Sequence, residues 1–220
     1  MIAEKIMFFL IRRKLPLIIA MLVIPVAAGG YEEVEDLVEI FVIDRDLVAI
    51  VDGRSRFVEA MRSDEKVLWQ GAKGEIGAFL TTDRLLAVSI TSGQWNSRYL
   101  KISEKKSGLD MLLAAHLVLM LSDERVLAFG THTGGFFQVR LPVGEAVLAK
   151  AAKGRVAAVA TASFAYGFST YRRGVSEFRF RRDETLVSLK ATYNKITMQT
   201  SDRVVSLDAE DAVWRTFELP

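Results

Sequence analysis

The sequence contains no cysteine, only two histidines and only four prolines among its 220 residues. The absence of cysteine excludes disulfide bonds, thiolate metal sites and a cysteine nucleophile. His116 and His132 are the only side chains that ordinarily titrate near neutral pH. They lie 16 positions apart, with no carboxylate at the spacing of a metal or catalytic motif. We therefore expect no metal and no cofactor, and the composition favours a protein without catalytic activity.

A charged and then aliphatic leader occupies residues 1–28. Arg12, Arg13 and Lys14 precede an uncharged, almost wholly aliphatic run over 15–28, which ends in the small residues Ala27 and Ala28. This order is typical of a secretory signal peptide cleaved after Ala28. The run would form about 21 Å of helix, shorter than a ~30 Å hydrocarbon core. An uncleaved membrane anchor is the alternative.

Both interpretations of the leader place the rest of the chain outside the cytoplasm, because the basic cluster stays on the cytoplasmic side. Removing the four basic residues and one acidic residue of the leader changes the formal net charge from +2 to −1. The remaining chain lacks the clustered basic footprint of a nucleic-acid-binding protein. We predict a periplasmic or extracellular bacterial protein, tethered to the membrane by residues 7–28 if the leader persists, with no nucleic-acid partner.

A repeat of 39 residues runs five times from about Val38 to the C-terminus. Stepping by 39 gives five columns that are apolar in every copy, whereas about one is expected by chance at this composition. One such column contains Val51, Ile90, Phe129, Phe168 and Leu207. A fixed period of this length indicates an architecture in which each unit packs against its neighbours. We therefore divide the chain into the leader, 1–28, and a five-repeat domain, 29–220.

Each repeat is predicted to contain three or four short strands joined by polar turns. The turn after the middle strand contains glycine in four copies, at Gly53, Gly93, Gly134 and Gly174, which is typical of hairpins. The middle strands are apolar at adjacent as well as alternate positions, so we expect both of their faces to be buried. A further strand, which we assign to the end of each unit, follows an acidic residue at Glu65, Glu145 and Glu184.

Units of about 39 residues with four short strands resemble the blades of the β-propeller family. The resemblance covers 38–220 and is architectural, since neither the signature of WD repeats nor that of kelch repeats recurs. It implies an all-β, five-bladed propeller after the leader. The chain ends on the third strand of the fifth unit, so we expect the fifth blade to lack its outer strand unless Gly29–Glu35 supplies it. An open stack of five units is the alternative.

A polar corner before the middle strand carries an aspartate in four units, at Asp44, Asp83, Asp123 and Asp202. One interpretation is a ring of carboxylates that binds a cation or acts in acid–base catalysis. The other is turn chemistry, in which the arginine that follows pairs with a neighbouring unit. We favour the second, because this set repeats whereas catalytic sets are usually asymmetric. A glycoside-type hydrolase ranks only third among the functions considered, because blades of 39 residues leave little loop to build a deep carboxylate pocket.

Two further features are candidate binding sites. Trp95 lies in a polar turn and would stack on a sugar ring if the domain were a carbohydrate-binding, lectin-like module, which is the alternative function. The fourth unit concentrates arginine, at Arg172, Arg173, Arg179, Arg181 and Arg182. Because Phe178 and Phe180 alternate with arginine, one face of this strand is predicted to be apolar and the other cationic.

Arginine beside aromatic residues is frequent in protein interfaces, and a cationic face also suits anionic lipid headgroups. The competing interpretation is a solvated surface whose charge is balanced by Glu177, Asp183 and Glu184. We predict an exported, non-catalytic propeller that serves as a docking or scaffold subunit. Its partner would be another envelope or membrane protein, or an anionic membrane surface.

Overall fold

The computed structural model describes residues 35–105 and 108–218, so the predicted leader lies outside the described residues. Every helix or strand assigned in this part of the chain is a β-strand. No helix within it is long and apolar enough to cross a membrane. The strands form five antiparallel sheets that follow one another along the chain. The predicted all-β class and the five units are confirmed.

The first sheet has three strands and each of the others has four. Sheet 1 contains β1 (Val38–Ile43), β2 (Asp46–Val51) and β3 (Ser55–Ala60). Sheet 2 contains β4 (Val67–Lys73), β5 (Ile76–Thr81), β6 (Arg84–Ser89) and β7 (Asn96–Tyr99). Sheet 3 contains β8 (Asp110–Ala114), β9 (Leu117–Leu121), β10 (Arg125–Gly130) and β11 (Phe136–Arg140). Sheet 4 contains β12 (Ala149–Lys153), β13 (Val156–Ala160), β14 (Phe164–Ser169) and β15 (Ser176–Arg179). Sheet 5 contains β16 (Leu186–Ala191), β17 (Lys195–Thr200), β18 (Arg203–Asp208) and β19 (Trp214–Glu218).

The strands that follow Glu65, Glu145 and Glu184 begin a sheet, so their assignment to the end of the preceding unit was wrong. The reason is a tight turn on their other side: Lys73 at the end of β4 lies opposite Ile76 of β5. Gly74 in this turn has a φ of 56°, in the left-handed region that glycine adopts without strain. A hairpin therefore joins each of these strands to the next strand along the chain, which belongs to the same sheet.

The fifth sheet is consequently complete, and the expectation that it lacks its outer strand was wrong. Within the described residues, sheet 1 has no strand equivalent to the first strand of the other sheets, which would pair with β1. Of the segment Gly29–Glu35, which the sequence analysis offered for closing the ring, all but Glu35 lies outside the described residues.

Packing between sheets follows chain order. Strands β5, β6, β9, β10 and β13 are buried at every residue, which confirms two-sided burial for the central sheets. In sheet 5, β18 instead alternates between buried and partly exposed residues, as a strand packed on one face does. The hydrophobic clusters formed by the described residues join sheets 1 and 2, 2 and 3, 3 and 4, and 4 and 5, and none of them joins sheet 5 to sheet 1.

A series of backbone hydrogen bonds links successive sheets, from Leu37, just before β1, to the first turn of sheet 2, and from the first turn of each later sheet to that of the next. The amides of Leu37, Glu75, His116 and Arg155 donate to the carbonyls of Gly74, Ala115, Gly154 and Tyr193, at 2.8 to 3.1 Å. We call the end of the array that carries these turns the hairpin end. The opposite end, where the linkers enter each sheet, is the linker end. The candidate side chains divide between these two ends.

Candidate partner-binding surfaces

Buried ion pairs hold three of the four linkers to the sheet that follows. In these linkers, Glu65, Glu104 and Glu184 pair with arginines that begin the third strand of the next sheet, namely Arg84, Arg125 and Arg203. The N···O distances are 2.9, 2.5 and 2.8 Å, and each of the six residues is less than 9% exposed. A hydroxyl from the corner also donates to each carboxylate, from Thr81, Ser122 and Thr200.

The same arginines also reach the outermost strand of the preceding sheet. Arg84 donates to the carbonyl of Ala60 at 2.9 Å, and Arg203 donates to that of Arg179 at 3.4 Å. The arginines therefore contact the neighbouring sheet, as the structural interpretation of the corner predicted, and their ion-pair partner is the linker glutamate. Burial opposes ionisation of Glu184, but the hydrogen bonds it accepts, from Arg203 above all, outweigh this and lower its pKa to about 2.

The linker between sheets 3 and 4 differs from the other three. Its glutamate, Glu145, accepts hydrogen bonds from the backbone amide and the hydroxyl of Ser163, at 3.2 and 2.6 Å. Phe164 stands at the position that arginine occupies in the other three sheets. Within residues 35–105 and 108–218, no ion pair involves Glu145.

Trp95 lies between sheets 1 and 2 and is half-buried. Its indole Nε1 donates to the carbonyl of Phe57 at 3.3 Å, and its ring lies 5.6 Å from that of Phe79. Trp214 has the same role between sheets 4 and 5, donating to the carbonyl of Ser176 at 2.9 Å. A strict period of 39 does not align the two tryptophans, because the interval between them exceeds three repeats by two residues. Sugar binding by Trp95 stays a prediction.

The five arginines of the fourth unit are all exposed, whereas Phe178 and Phe180 are 9% and 8% exposed. The alternation predicted for this strand is therefore present. However, the arginines form two groups. The turn arginines, Arg172 and Arg173, lie at the hairpin end between β14 and β15. The strand-end arginines, Arg179, Arg181 and Arg182, lie at the linker end. Arg173 and Arg179 are separated by six residues of mostly extended chain, or about 20 Å.

Most of this positive charge has no counter-charge in the described part of the chain. Arg181 pairs with Glu218 at 2.7 Å, but no ion pair involves Arg172, Arg173, Arg179 or Arg182 within the described ranges. Arg173 donates to the carbonyl of Thr133 at 2.7 Å, and the guanidinium carbon of Arg179 lies 6.0 Å from the ring centre of Phe164. Glu184, which was expected to balance this surface, is buried against Arg203. Of the strand-end arginines, Arg179 and Arg182 are therefore exposed and without an ion pair in the described chain.

The two histidines lie near the hairpin end and do not share a ligand. His116 is buried, with Nδ1 at 2.9 Å from Glu75 Oε2 and Nε2 at 2.6 Å from the Tyr193 hydroxyl. Burial lowers the pKa of His116 below its ordinary value, against the opposing effect of Glu75. Glu75 lies 41 positions away, close to one repeat, which is the signal that could have indicated this contact. The ring of His132 lies 5.1 Å from that of Tyr171. The described residues contain no group of three metal-ligating side chains placed to hold an ion.

Comparison with known proteins gives similarity of fold alone. No family model matches the chain, and no curated protein matches it. Human WBSCR16 is 12% identical with a TM-score of 0.41, over 72% of this chain and 54% of that one. Prp20p from Saccharomyces cerevisiae is 8% identical with a TM-score of 0.38, over 80% and 59%. PorZ, a surface component of the type-IX secretion system of Porphyromonas gingivalis, is 12% identical with a TM-score of 0.39, over 87% and 27%.

The chain thus spans about half the length of WBSCR16 and Prp20p and about a quarter of PorZ. None of these similarities is close enough to assign a family. Five consecutive antiparallel sheets of short strands, packed in chain order, identify the architecture as that of a β-propeller.

Proposed function

We propose that this protein is an exported, non-catalytic docking subunit of a bacterial envelope or membrane complex. The observation that carries the proposal is the group of strand-end arginines, which are exposed, alternate with buried phenylalanines and include one ion-paired member in the described chain. The backbone that carries these arginines belongs to a sheet or lies next to one, so binding has to order their side chains but not the chain itself. Export is inferred from the leader, and mass spectrometry of the mature N-terminus would test it by showing cleavage after Ala28 or retention of residues 1–28.

The partner inferred from this surface is negatively charged. Arginine is enriched in the energetically dominant parts of protein interfaces and also binds anionic headgroups. Phe217 of the adjoining sheet is 56% exposed one residue before Glu218, the ion-pair partner of Arg181. An exposed aromatic ring beside unpaired guanidinium groups is suited to the acidic surface of another envelope protein, or to an anionic membrane.

The test is charge reversal at Arg179 and Arg182, neither of which has an ion pair in the described chain. We expect the double variant Arg179→Glu/Arg182→Glu to lose at least tenfold in membrane association. Unfolding stability should change by less than about 0.5 kcal/mol per site, because both positions are exposed. Arg98→Glu is the matched control, since Arg98 is exposed on the outermost strand of sheet 2 and has no ion pair among the described residues.

Two binding assays distinguish a lipid partner from a protein partner. Sedimentation with phosphatidylglycerol vesicles, compared with phosphatidylcholine vesicles, measures lipid binding, and pull-down from detergent-solubilised membranes measures protein binding. Either attraction should weaken with salt, because exposed charges are screened beyond ~8 Å at physiological ionic strength. Equal losses in the double variant and in Arg98→Glu, or no loss in either, would contradict the proposal.

A further inference from the structure

Two pockets at the linker end occupy equivalent positions in successive repeats. The first, of about 840 Å³, lies between sheets 2 and 3, and the second, of about 500 Å³, lies between sheets 3 and 4. Leucines at matching positions line both of them: Leu80, Leu100 and Leu109 in the first, and Leu121, Leu141 and Leu148 in the second. Both volumes fall within the range of ligand pockets, roughly 300–1,000 Å³. The two pockets therefore occupy the same place in the repeat and share these leucines, but their other lining side chains differ.

Two of the carboxylates that line the first pocket form ion pairs with cationic side chains of the same chain. Arg125 contacts Glu104 at 2.5 Å, and Lys105 contacts Asp83 at 2.5 Å. Asp64 and Lys66, of opposite charge, line the same pocket. Much of the negative charge that lines the first pocket is thus balanced by cationic side chains of the chain itself.

The second pocket lacks both of these cations. Phe164 stands in place of Arg125, and Ala146 stands in place of Lys105, directly after the linker glutamate. Glu145 and Asp123 line the pocket, and neither has an ion pair within residues 35–105 and 108–218. Hydrogen bonds from Ser163 and Thr161 lower the pKa of Glu145, so its carboxylate is ionised at neutral pH.

Among the described residues, one cation lines the second pocket, and it is paired there: Lys150 contacts Asp110, which lines the same pocket, so Glu145 and Asp123 keep their charges unpaired. Arg179 lies against the ring of Phe164. Beside the two carboxylates are half-buried Val147 and Leu148, whose side chain is apolar and 59% exposed. An aliphatic surface that ends in two unpaired carboxylates complements a side chain with an aliphatic stem and a cationic head.

We propose that the pocket between sheets 3 and 4 binds an arginine or lysine side chain of a partner protein. The stem lies on Val147 and Leu148, and the cationic head bonds to Glu145 and Asp123. Within this same fold, Arg125 provides the precedent, because its guanidinium bonds to the equivalent glutamate in the first pocket. This site is separate from the strand-end arginines and does not depend on the function proposed for them.

The test uses N-acetyl-arginine amide as the probe and the full chain labelled at leucine and valine methyl groups. Saturable chemical-shift changes are expected at Val147 and Leu148, with a dissociation constant on the order of millimolar for a single side chain. N-acetyl-norleucine amide, which has an aliphatic stem and no charge, should produce no saturable change there. Equal responses to the two probes, or no saturable response to arginine, would overturn the proposal.

Variants that give the pocket an internal cation provide the sharper comparison. Ala146→Lys and Phe164→Arg each restore a residue of the first pocket, and Glu145→Gln removes the acceptor charge. Each should weaken probe binding at least tenfold. Asp83→Asn, in the first pocket, should leave it unchanged. If Phe164→Arg does not fold, Ala146→Lys and Glu145→Gln decide the result, and wild-type binding in both rejects the site. The variant Arg179→Glu/Arg182→Glu should bind the probe at least as tightly as the wild type does, which separates this test from that of the proposed function.

Discussion

Arg203 donates hydrogen bonds from Nε and Nη2 to the two carboxylate oxygens of Glu184, each at 2.8 Å, and both side chains are almost fully buried. Paired hydrogen bonds between charged groups are among the strongest that side chains make. The carboxylate belongs to a linker and the guanidinium to β18, so this contact fixes where the linker enters sheet 5. Its removal therefore has consequences for stability that can be measured.

Glu184→Gln should destabilise the fold by about 3 kcal/mol, because it leaves the buried guanidinium of Arg203 without a counter-charge. For a domain of this size, that corresponds to a fall in Tm of roughly 6–12 °C. Calorimetry or thermal denaturation followed by circular dichroism measures it. Glu210→Gln, at an exposed position, is the control and should shift Tm by little more than a degree. Similar shifts in the two variants would contradict a special role for Glu184.

The pH dependence of stability should carry the signature of Glu184. Its pKa in the folded protein is about 2, below the ordinary value of 4.5, so the folded state binds fewer protons than the unfolded state between these values. The stabilisation is therefore complete above pH 4.5 and is lost as the pH falls towards 2. Urea unfolding between pH 2 and 6 should show a weaker pH dependence in Glu184→Gln than in the wild type. Parallel curves would count against this assignment.

His116 should make stability fall in a second, milder pH range. Because burial lowers its pKa in the folded state, its contribution is present above the ordinary pKa of 6.5 and is lost as the pH falls below it. We expect Tm to fall between pH 8 and pH 5, with a smaller fall in His116→Gln than in the wild type. A wild-type Tm that does not change over this range would refute the prediction.

Trp95 and Trp214 should make equal and independent contributions to stability. Replacing either by phenylalanine removes an indole donor and leaves a carbonyl on the neighbouring sheet without that bond, at a cost of about 1–2 kcal/mol. The two sites lie in different sheet interfaces, so the double variant should lose the sum within about 0.5 kcal/mol. Trp69→Phe is the control, since Trp69 makes no hydrogen bond through its indole in the described chain. Denaturant titration measures all four variants.

The sequence predicted the number of sheets because the columns of the repeat mark positions that are buried in most copies. The sequence did not predict where each unit begins. Hydrophobic periodicity does not reveal whether a strand pairs with the strand before it or with the strand after it. Gly74 and Gly154 were the available signal. Each separates two predicted strands by a two-residue turn and has a positive φ, which indicates a hairpin there.

The ion-paired corners could also have been found from the sequence. Glutamate precedes arginine by 19 positions at Glu65 and Glu184, and by 21 at Glu104. Column searches for apolar residues miss such pairs, because both members are polar. The sequence could not predict which side chains meet across one or two repeats. The position of His116 between Glu75 and Tyr193, for example, depends on how successive turns pack against each other. The division of the arginines into two groups depends on the length of β15.

The unequal linkers also determine how the chain would respond to tension. A force pulling the two ends apart reaches each linker glutamate before it reaches the strands of the sheet that follows. Three linkers resist with a buried ion pair, whereas Glu145 resists through hydrogen bonds from Ser163 and Thr161. Tension should therefore detach the linker between sheets 3 and 4 from its corner before it detaches the other three, and single-molecule stretching would register that detachment as the first and weakest event.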